Sequence, residues 1–280
     1  MAMTNDDIRT YYEKEWPTYF TTEKGQKGAP YGMELDPLTT DPMHVQFLKD
    51  HLVKVNGGKV LDVGCGSGRY IEFYQRFFKP ALLHGVDFVE AAINTIRQRY
   101  PSTDATQVRF THADITAEGL DLGEKFDLVN IAHVLFHIPD DDKYDRALVN
   151  LRSHLEPGGM IYTTEILSEF TFRTNMMKVR SRYEFEDRNR RAGLSTVAVK
   201  AACFFSTLPF ATHDPKLHQD LFTCINSINK AIQESADPVK TNLRQFLALL
   251  ERTVVDYFGA KVSPYQFPGG KFVLLKRVED

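Results

Sequence analysis

The chain has 280 residues, of which 42% are hydrophobic and 25% charged, and its formal net charge is −3. This is the balance of an ordinary globular protein, and the length suits one large domain or a domain with a cap. The slightly acidic charge argues against a nucleic-acid partner, because phosphate contacts need a basic face. The three cysteines lack the spacing of a metal site or a disulfide framework, so no metal is predicted and a cytoplasmic location is expected.

The N-terminal region predicts two helices around a loop. The first covers residues 4–20, is dense in aromatic residues, and is expected to kink or stop near Pro17. Residues 23–38 are rich in glycine and proline and predict a loop. The pair Asp41-Pro42 is typical of a helix start. Because no apolar leader and no run of membrane-spanning length is present, neither a signal peptide nor a membrane partner is expected.

Strands and helices then alternate up to residue 166. The runs that predict strands begin at Lys59 and cover residues 81–87, 108–113, 126–131 and 160–166. The helical segments cover 69–78, 90–100 and 140–155. This alternation predicts an α/β fold with a doubly wound, parallel sheet.

The alternation stops after residue 166. Residues 168–250 predict mainly helices, and no strand is expected before about Val254. Two closing strands are predicted at residues 257–265 and 272–278, which makes the sheet mixed.

The stretch VLDVGCGSG, residues 60–68, organises the alternating part. A buried strand enters a loop with glycines at alternate positions, Gly64, Gly66 and Gly68, and a helix follows. Glycine permits a positive φ and lets a ligand approach the backbone closely. The helix behind the loop presents free N–H groups and the positive end of its dipole. These residues predict a site for a nucleotide-like or amino-acid-like ligand.

This stretch resembles the first motif of the class I S-adenosylmethionine (SAM) methyltransferases. Four further landmarks follow in order over residues 57–165, namely Gly85-Val86-Asp87, Ala113-Asp114-Ile115, Phe126-Asp127-Leu128-Val129 and Glu156-Pro157-Gly158-Gly159. A nicotinamide-binding domain needs its third glycine one position later, where this chain has Arg69. The resemblance therefore implies SAM as the cofactor.

The resemblance implies a seven-stranded, mostly parallel sheet and four parts of the chain. Residues 1–56 would form helices that cap the SAM site, and residues 57–166 the SAM-binding core. Residues 167–252 would form a helical lid inserted after the fifth strand, as in family members that act on small molecules. Residues 253–280 would form the closing strand pair.

The resemblance also assigns residues to the methionine and ribose parts of SAM. The glycine loop, with Cys65, would approach the methionine part. Asp62 would either order water near the ammonium group of SAM or hold the loop itself. Asp87 lies 19 positions after Gly68 and would accept hydrogen bonds from the ribose hydroxyls, with a helix cap as the alternative.

The adenine ring would be held at the end of the third strand. Asp114 would accept from the adenine amino group, or would only close a turn. Ile115 would donate its backbone N–H to the ring, and Phe88 and Ile115 would enclose it.

The stretch NIAHVLFH leaves the fourth strand at the sheet edge where α/β proteins bind ligands. The resemblance places this stretch, beginning at Asn130, against SAM and the acceptor. His133 and His137 are four residues apart and would share one face of a helical turn. Either could be a general base, because imidazole titrates near neutral pH, and packing histidines are the alternative.

The segment after the fifth strand carries information on the acceptor. Between Arg173 and Arg191 it holds seven basic and three acidic residues. One interpretation is a solvated helix face with pairs four residues apart. The other is that Arg173 or Arg180, together with Tyr19 of the N-terminal helix, binds an acceptor that carries a carboxylate or a phosphate. Arg188 to Arg191 are expected to face water.

The sequence thus predicts a SAM-dependent methyltransferase, monomeric or homodimeric, that modifies nitrogen or oxygen of a small metabolite. The stretch Asn130-Ile131-Ala132-His133 excludes the motifs of DNA-base amino methylation and of cytosine C5 methylation. Two alternatives stay open: a SAM-using lyase or cyclase without methyl transfer, and a SAM-binding protein without activity.

Overall fold

A seven-stranded sheet forms the centre of the protein. The computed structural model describes residues 3–20, 37–173, 175–203, 215–267 and 269–278. The strand order is β3-β2-β1-β4-β5-β9-β8, and β1 to β5 are parallel while β9 runs antiparallel to both of its neighbours. The predicted α/β fold with a mostly parallel, seven-stranded sheet is confirmed.

The elements alternate as expected through β5. The strands are β1 (Lys59–Val63), β2 (Leu82–Asp87), β3 (Gln107–His112), β4 (Phe126–Asn130), β5 (Leu155–Ile166), the short pair β6 (Phe172–Arg173) and β7 (Lys178–Val179), β8 (Leu194–Cys203) and β9 (Gly270–Arg277). The helices are α1 (Asn5–Phe20), α2 (Pro37–Asp50), α3 (Arg69–Phe77), α4 (Glu90–Arg99), α5 (Asp141–Ser153), α6 (Arg182–Arg191), α7 (Pro215–Glu234) and α8 (Val239–Phe258).

Apolar clusters cover the two faces of the sheet. On one face, Phe47 of α2 and Tyr74 of α3 pack against strand residues such as Leu128. On the other face, Leu148 of α5 and Phe185 of α6 pack against residues such as Val129. Because both faces are covered, the central strands are mostly apolar, and polar residues within them such as His84 and Thr163 are buried.

The carboxyl ends of β1 to β5 share one edge of the sheet, which we call the carboxyl edge. In register, Gly270 at the start of β9 lies opposite both Ile166 and Cys203. Since these two residues end β5 and β8, the chain segment between β8 and β9 also leaves from the carboxyl edge. Within that segment α8 packs against β8 and α2, with Val255 buried beside Ala201.

The prediction that no strand lies between residue 168 and about Val254 is wrong, although helices make up most of the described secondary structure there. Strand β8 lies within this range, and the two long helices α7 and α8 follow it. The helical insertion therefore lies between β8 and β9 in the sequence and does not directly follow β5. β8 is an edge strand with mixed burial, so its side chains do not alternate cleanly between apolar and polar.

Two further boundaries differ from expectation. The predicted strand at residues 257–265 is absent, because α8 continues to Phe258 and buries Ala248, Glu251 and Val255 at helical spacing. Helix α2 begins at Pro37 and contains Pro42, so the earlier proline takes the first helical position.

At the N-terminus, α1 continues past Pro17 to Phe20. The predicted loop at residues 23–38 lies almost wholly outside the described residues. None of the helices in the described ranges is long and apolar enough to cross a membrane.

Candidate active site

The glycine loop connects β1 to α3 at the carboxyl edge. Gly64 and Gly68 have φ values of 71° and 86°, where side chains are strained. A Cβ on Gly64 would lie 2.4 Å from Cγ2 of Val134, and one on Gly68 would lie 2.3 Å from the ring of Tyr100. Both glycines thus allow close internal packing, while Gly64 remains exposed on its other side. Cys65 contributes its backbone to the loop, and its side chain is buried in the core.

Asp87 ties the glycine loop to the end of β2. Its Oδ2 accepts from the backbone N of Gly66 and its Oδ1 from the backbone N of Val89, each at 2.9 Å. Burial raises the pKa of Asp87, and these hydrogen bonds oppose the rise. A carboxylate offers about four acceptor positions, so two remain for other donors. Asp87 therefore holds the loop and keeps the capacity predicted for hydroxyl groups.

Asp62 stands beneath the loop with one oxygen unsatisfied. Its Oδ1 accepts from Nδ2 of Asn130 at 2.6 Å, and Oδ1 of Asn130 accepts from the hydroxyl of Tyr74 at 3.3 Å. Its Oδ2 is shielded from solvent and has no hydrogen-bond partner. Burial raises the pKa of Asp62 to about 7, against the hydrogen bond from Asn130. An orphaned carboxylate oxygen at this depth calls for a donor from outside the chain.

The predicted adenine residues lie at the end of β3, under helix α1. Oδ1 of Asp114 accepts from both N and Oγ1 of Thr116 at 2.8 Å, so this oxygen closes the turn, and the predicted adenine contact would fall to Oδ2. Its Oδ2 lies 3.6 Å from Nη1 of Arg9. Arg9 also lies over the ring of Phe88, which makes an edge contact with Tyr12. Helix α1 thus covers the place where the resemblance puts adenine.

Ile115 is buried in the core at the same turn. Its carbonyl accepts from Nδ2 of Asn150 in α5 at 2.7 Å. The backbone around the predicted adenine contact is therefore fixed by α5 as well as by β3.

His133 and His137 do not share a helical face. His133 has a φ of 61° in a turn, and His137 ends a separate 3₁₀ turn, Leu135–His137. His133 is exposed, yet surrounding protein desolvates it enough to lower its pKa to about 4. Desolvation likewise lowers the pKa of His137 to about 4, and its Nδ1 lies 3.2 Å from the carbonyl oxygen of Met176. Both imidazoles are thus neutral at physiological pH.

Arg180 is buried in an ion cluster beside this turn. Its Nη2 donates to Oδ1 of Asp141 at 2.8 Å and to the carbonyl of Ile138 at 3.0 Å. Its guanidinium lies 3.6 Å over the ring of Tyr144, and its buried Nη1 has no hydrogen-bond partner. Burial alone would raise the pKa of Asp141, but hydrogen bonds from Lys178 and Arg180 lower it to about 2.

The other basic residues divide between this cluster and the solvent. Arg188 is 11% exposed and pairs with Asp141, so the expectation that it faces water is wrong. Arg190 and Arg191 are 77% and 55% exposed, as expected. Arg173 is exposed, and its Nη2 donates to the carbonyl of Pro139 at 3.1 Å. The side chain of Tyr19 lies outside the described residues.

One acidic residue at the carboxyl edge was not predicted from the sequence as a site residue. Glu165 is the penultimate residue of β5 and is 5% exposed. Burial raises its pKa to about 8, against a hydrogen bond from Thr163 and the charge of Arg180. An acid near the end of a buried strand is the same signal that identified Asp62 and Asp87.

The chain's own groups fit SAM at this edge. The unpartnered oxygen of Asp62 can accept from an ammonium group or from its water, and Asp87 retains acceptor positions for hydroxyl groups. Among the described residues, no group of three or more His, Cys, Asp or Glu side chains is arranged to hold a metal.

Comparison with known proteins agrees with this geometry. A family model described as a methyltransferase domain matches residues 60–159. A ubiquinone biosynthesis O-methyltransferase of Pseudomonas putida is 31% identical over 186 residues, which cover 65% of this chain and 67% of that protein. The fold resembles that of the cyclase SpnF, with a TM-score of 0.58, 16% identity and coverage of 99% and 97%. It also resembles DhpI in complex with S-adenosylhomocysteine (SAH), with a TM-score of 0.53, 14% identity and coverage of 99% and 98%.

Proposed function

Because the chain belongs to the class I SAM-dependent methyltransferases, we propose that it methylates oxygen or nitrogen of a small-molecule acceptor, with a hydroxyl oxygen as the leading choice. The observation that carries this proposal is the meeting, at one edge of the sheet, of the glycine loop, Asp87 and the unpartnered oxygen of Asp62. The choice of oxygen is supported by the relatives that are named O-methyltransferases.

The cofactor would be held by groups that face this edge. The carboxylate of Asp62, fixed by Asn130, would receive the ammonium group or its water, and Asp87 would receive the ribose hydroxyls. Phe88, Asp114 and the backbone of Ile115 would receive the adenine. SAM supplies a methyl group already activated by a positively charged sulfur. The chain itself needs to bind, orient the acceptor and exclude water.

A small acceptor is supported by what surrounds the edge. Helix α1 reaches across it, since Asn5 accepts from the backbone N of Asp140 at 3.0 Å and Asp6 pairs with Lys143 at 2.8 Å. The insertion between β8 and β9 leaves and returns at the same edge. We therefore propose that α1 and this insertion, rather than the whole of residues 167–252, form the lid. A covered edge favours an acceptor small enough to be enclosed.

A carboxylate on the acceptor remains part of the proposal. Arg173 is exposed near the turn that bears His137, and Nη1 of Arg180 is unpartnered. Losing one arginine–carboxylate pair costs about 2–4 kcal/mol, or roughly 30- to 1,000-fold in kcat/KM. Arg173→Gln should show such a loss with a carboxylated acceptor only, and the exposed Arg190→Gln is its control. Arg180→Gln is less informative, because it also breaks the ion cluster with Asp141.

The test of the proposal is product analysis. The protein is incubated with SAM and a panel of catechols, phenols and amines, with and without a carboxylate, and the co-product is identified by mass. SAH in equal amount to a methylated oxygen supports the proposal. Methylation of nitrogen alone would show that the acceptor is an amine and not a hydroxyl compound. Methylthioadenosine as the co-product would indicate attack on another carbon of SAM.

A further inference from the structure

Glu165 is a buried carboxyl group that the proposed cofactor site leaves unused. Its Oε1 lies 2.9 Å from Oγ1 of Thr163, which donates to it. The hydrogen bond from Thr163 uses only Oε1, so Oε2 is left for another donor, and the residue keeps 5% of its surface exposed. A carboxyl oxygen that is largely enclosed and left for another donor can receive a group that enters from the carboxyl edge.

The position of Glu165 links it to the glycine loop. Oγ1 of Thr163 also lies 2.9 Å from the carbonyl oxygen of Ile131, where the turn after β4 begins. That turn contains His133, and its Val134 packs against Gly64. Since β4 and β5 are neighbouring strands about 4.8 Å apart, Glu165 stands beside the turn that closes the loop.

Burial raises the pKa of Glu165 to about 8, and the neighbouring charge of Arg180 opposes this rise, so the protonation state of Glu165 changes near neutral pH. Arg180 approaches from the segment after β7, and Tyr144 approaches from α5. Lys271 is its cross-strand partner on β9, but Nζ of Lys271 donates to the carbonyls of Phe267 and Gly269. With a pKa of about 8, Glu165 is about one-tenth ionised at pH 7, whereas the histidines of the preceding turn are neutral there.

We infer that Glu165 is the general base that takes the proton from a hydroxyl acceptor; this inference rests on the proposed function. The acceptor oxygen forms a bond to the methyl carbon while the carbon–sulfur bond breaks. The electron pair of that bond stays on sulfur, and the hydroxyl proton passes to Oε2 of Glu165. Neither His133 nor His137 is required for this step. The proton leaves to solvent when the product departs.

Two probe acceptors test this role with the intact protein. Catechol needs a base, whereas the nitro group of 4-nitrocatechol makes its hydroxyl far more acidic and reduces that need. SAH formation is measured from pH 5.5 to 9.5 in the parent, in Glu165→Gln and in Glu156→Gln. Glu156 lies in the same strand at the opposite edge of the sheet, so it is the matched control.

The expected result is a difference between the two acceptors. Glu165→Gln should lower kcat/KM for catechol by about 100- to 10,000-fold, and for 4-nitrocatechol by less than about tenfold. In the parent, the plot of log kcat/KM for catechol against pH should change slope near pH 8, which we call the bend. In Glu165→Gln the bend should be lost, and kcat/KM should rise with the fraction of catechol that is ionised. SAH affinity should be unchanged in both variants, and Glu156→Gln should match the parent.

Other results would overturn the inference. An equal loss with both probes, or an unchanged bend near pH 8 in Glu165→Gln, would show that Glu165 is not the base. If the parent methylates amines of the panel but neither probe nor any phenol, the acceptor atom is nitrogen, and the inference fails together with the choice of oxygen in the proposed function. If Glu165→Gln does not fold, Thr163→Val decides, because removing the hydrogen bond that stabilises the carboxylate should move the bend to higher pH.

Discussion

Asp87 provides the sharpest mutational test of the cofactor site. The backbone N–H groups of Gly66 and Val89 each donate to the carboxylate of Asp87 at 2.9 Å. Asp87→Ala removes this carboxylate and leaves both buried donors without their acceptor. Each unsatisfied donor costs about 1–3 kcal/mol of stability. Loss of the proposed ribose contacts removes a further 1.5–3 kcal/mol of binding, which is about 10- to 150-fold in the Kd for SAH.

A matched variant separates binding from stability. Asp127 near the start of β4 also accepts from a backbone N–H, that of Lys59 at 2.8 Å, but it lies at the opposite edge of the sheet. Asp127→Ala should lower the free energy of unfolding and leave the Kd for SAH within about twofold. Calorimetric titration with SAH and urea unfolding measure the two effects. An unchanged Kd in folded Asp87→Ala, or an equal weakening in Asp127→Ala, would refute the assignment.

Three other predictions concern the same edge. The pKa of Asp62 is raised on folding to about 7, so its protonated form stabilises the fold at low pH and this contribution is lost as pH rises through 7. The stability of ligand-free Asp62→Asn relative to the parent should therefore rise between about pH 4 and 7 and stay level above that. Free energies of unfolding in urea that change equally with pH in the two proteins would contradict this. Gly64→Ala should lose about 1–3 kcal/mol by urea unfolding and bind SAH more weakly, because its Cβ meets a valine methyl at 2.4 Å. Gly57→Ala has a similar φ of 66° with open space around it, so it should lose less stability and bind normally. If α1 and the insertion form the lid, SAH with an acceptor should slow hydrogen exchange in α1 and in residues 215–258, and equal exchange would refute the lid.

The fold was predictable as far as local pattern specifies it. The strands β1 to β5 are apolar runs between glycines, acids and helices, so length and composition identify them. Strand β8 was missed because it is the outermost strand of the described sheet and its burial is mixed. The sequence prediction ended helix α8 too early, because its valines and aromatic residues favour strands, although Ala248 and Val255 are spaced for a helix. In both places tertiary contacts decided against local preference.

The site was predictable where a residue's position in a motif fixes its neighbours. Asp62, Asp87 and Asn130 lie together because the carboxyl ends of parallel strands meet at one edge. The basic stretch was less predictable, because sequence spacing gives no information on what lies opposite. Asp141 of α5 forms ion pairs with Arg180 and Arg188. The stretch predicted to contact the acceptor is therefore largely a structural ion cluster.

The most direct test of the account is the fate of the methyl group. The protein is incubated with SAM labelled on the methyl carbon and with fractions of a metabolite extract, and SAH and labelled product are counted together. The account predicts SAH and one labelled methyl group in equal amounts on a small molecule, and it predicts that Asp87→Ala slows both. SAM that binds but stays unconsumed with every fraction, or that yields methylthioadenosine, would contradict it.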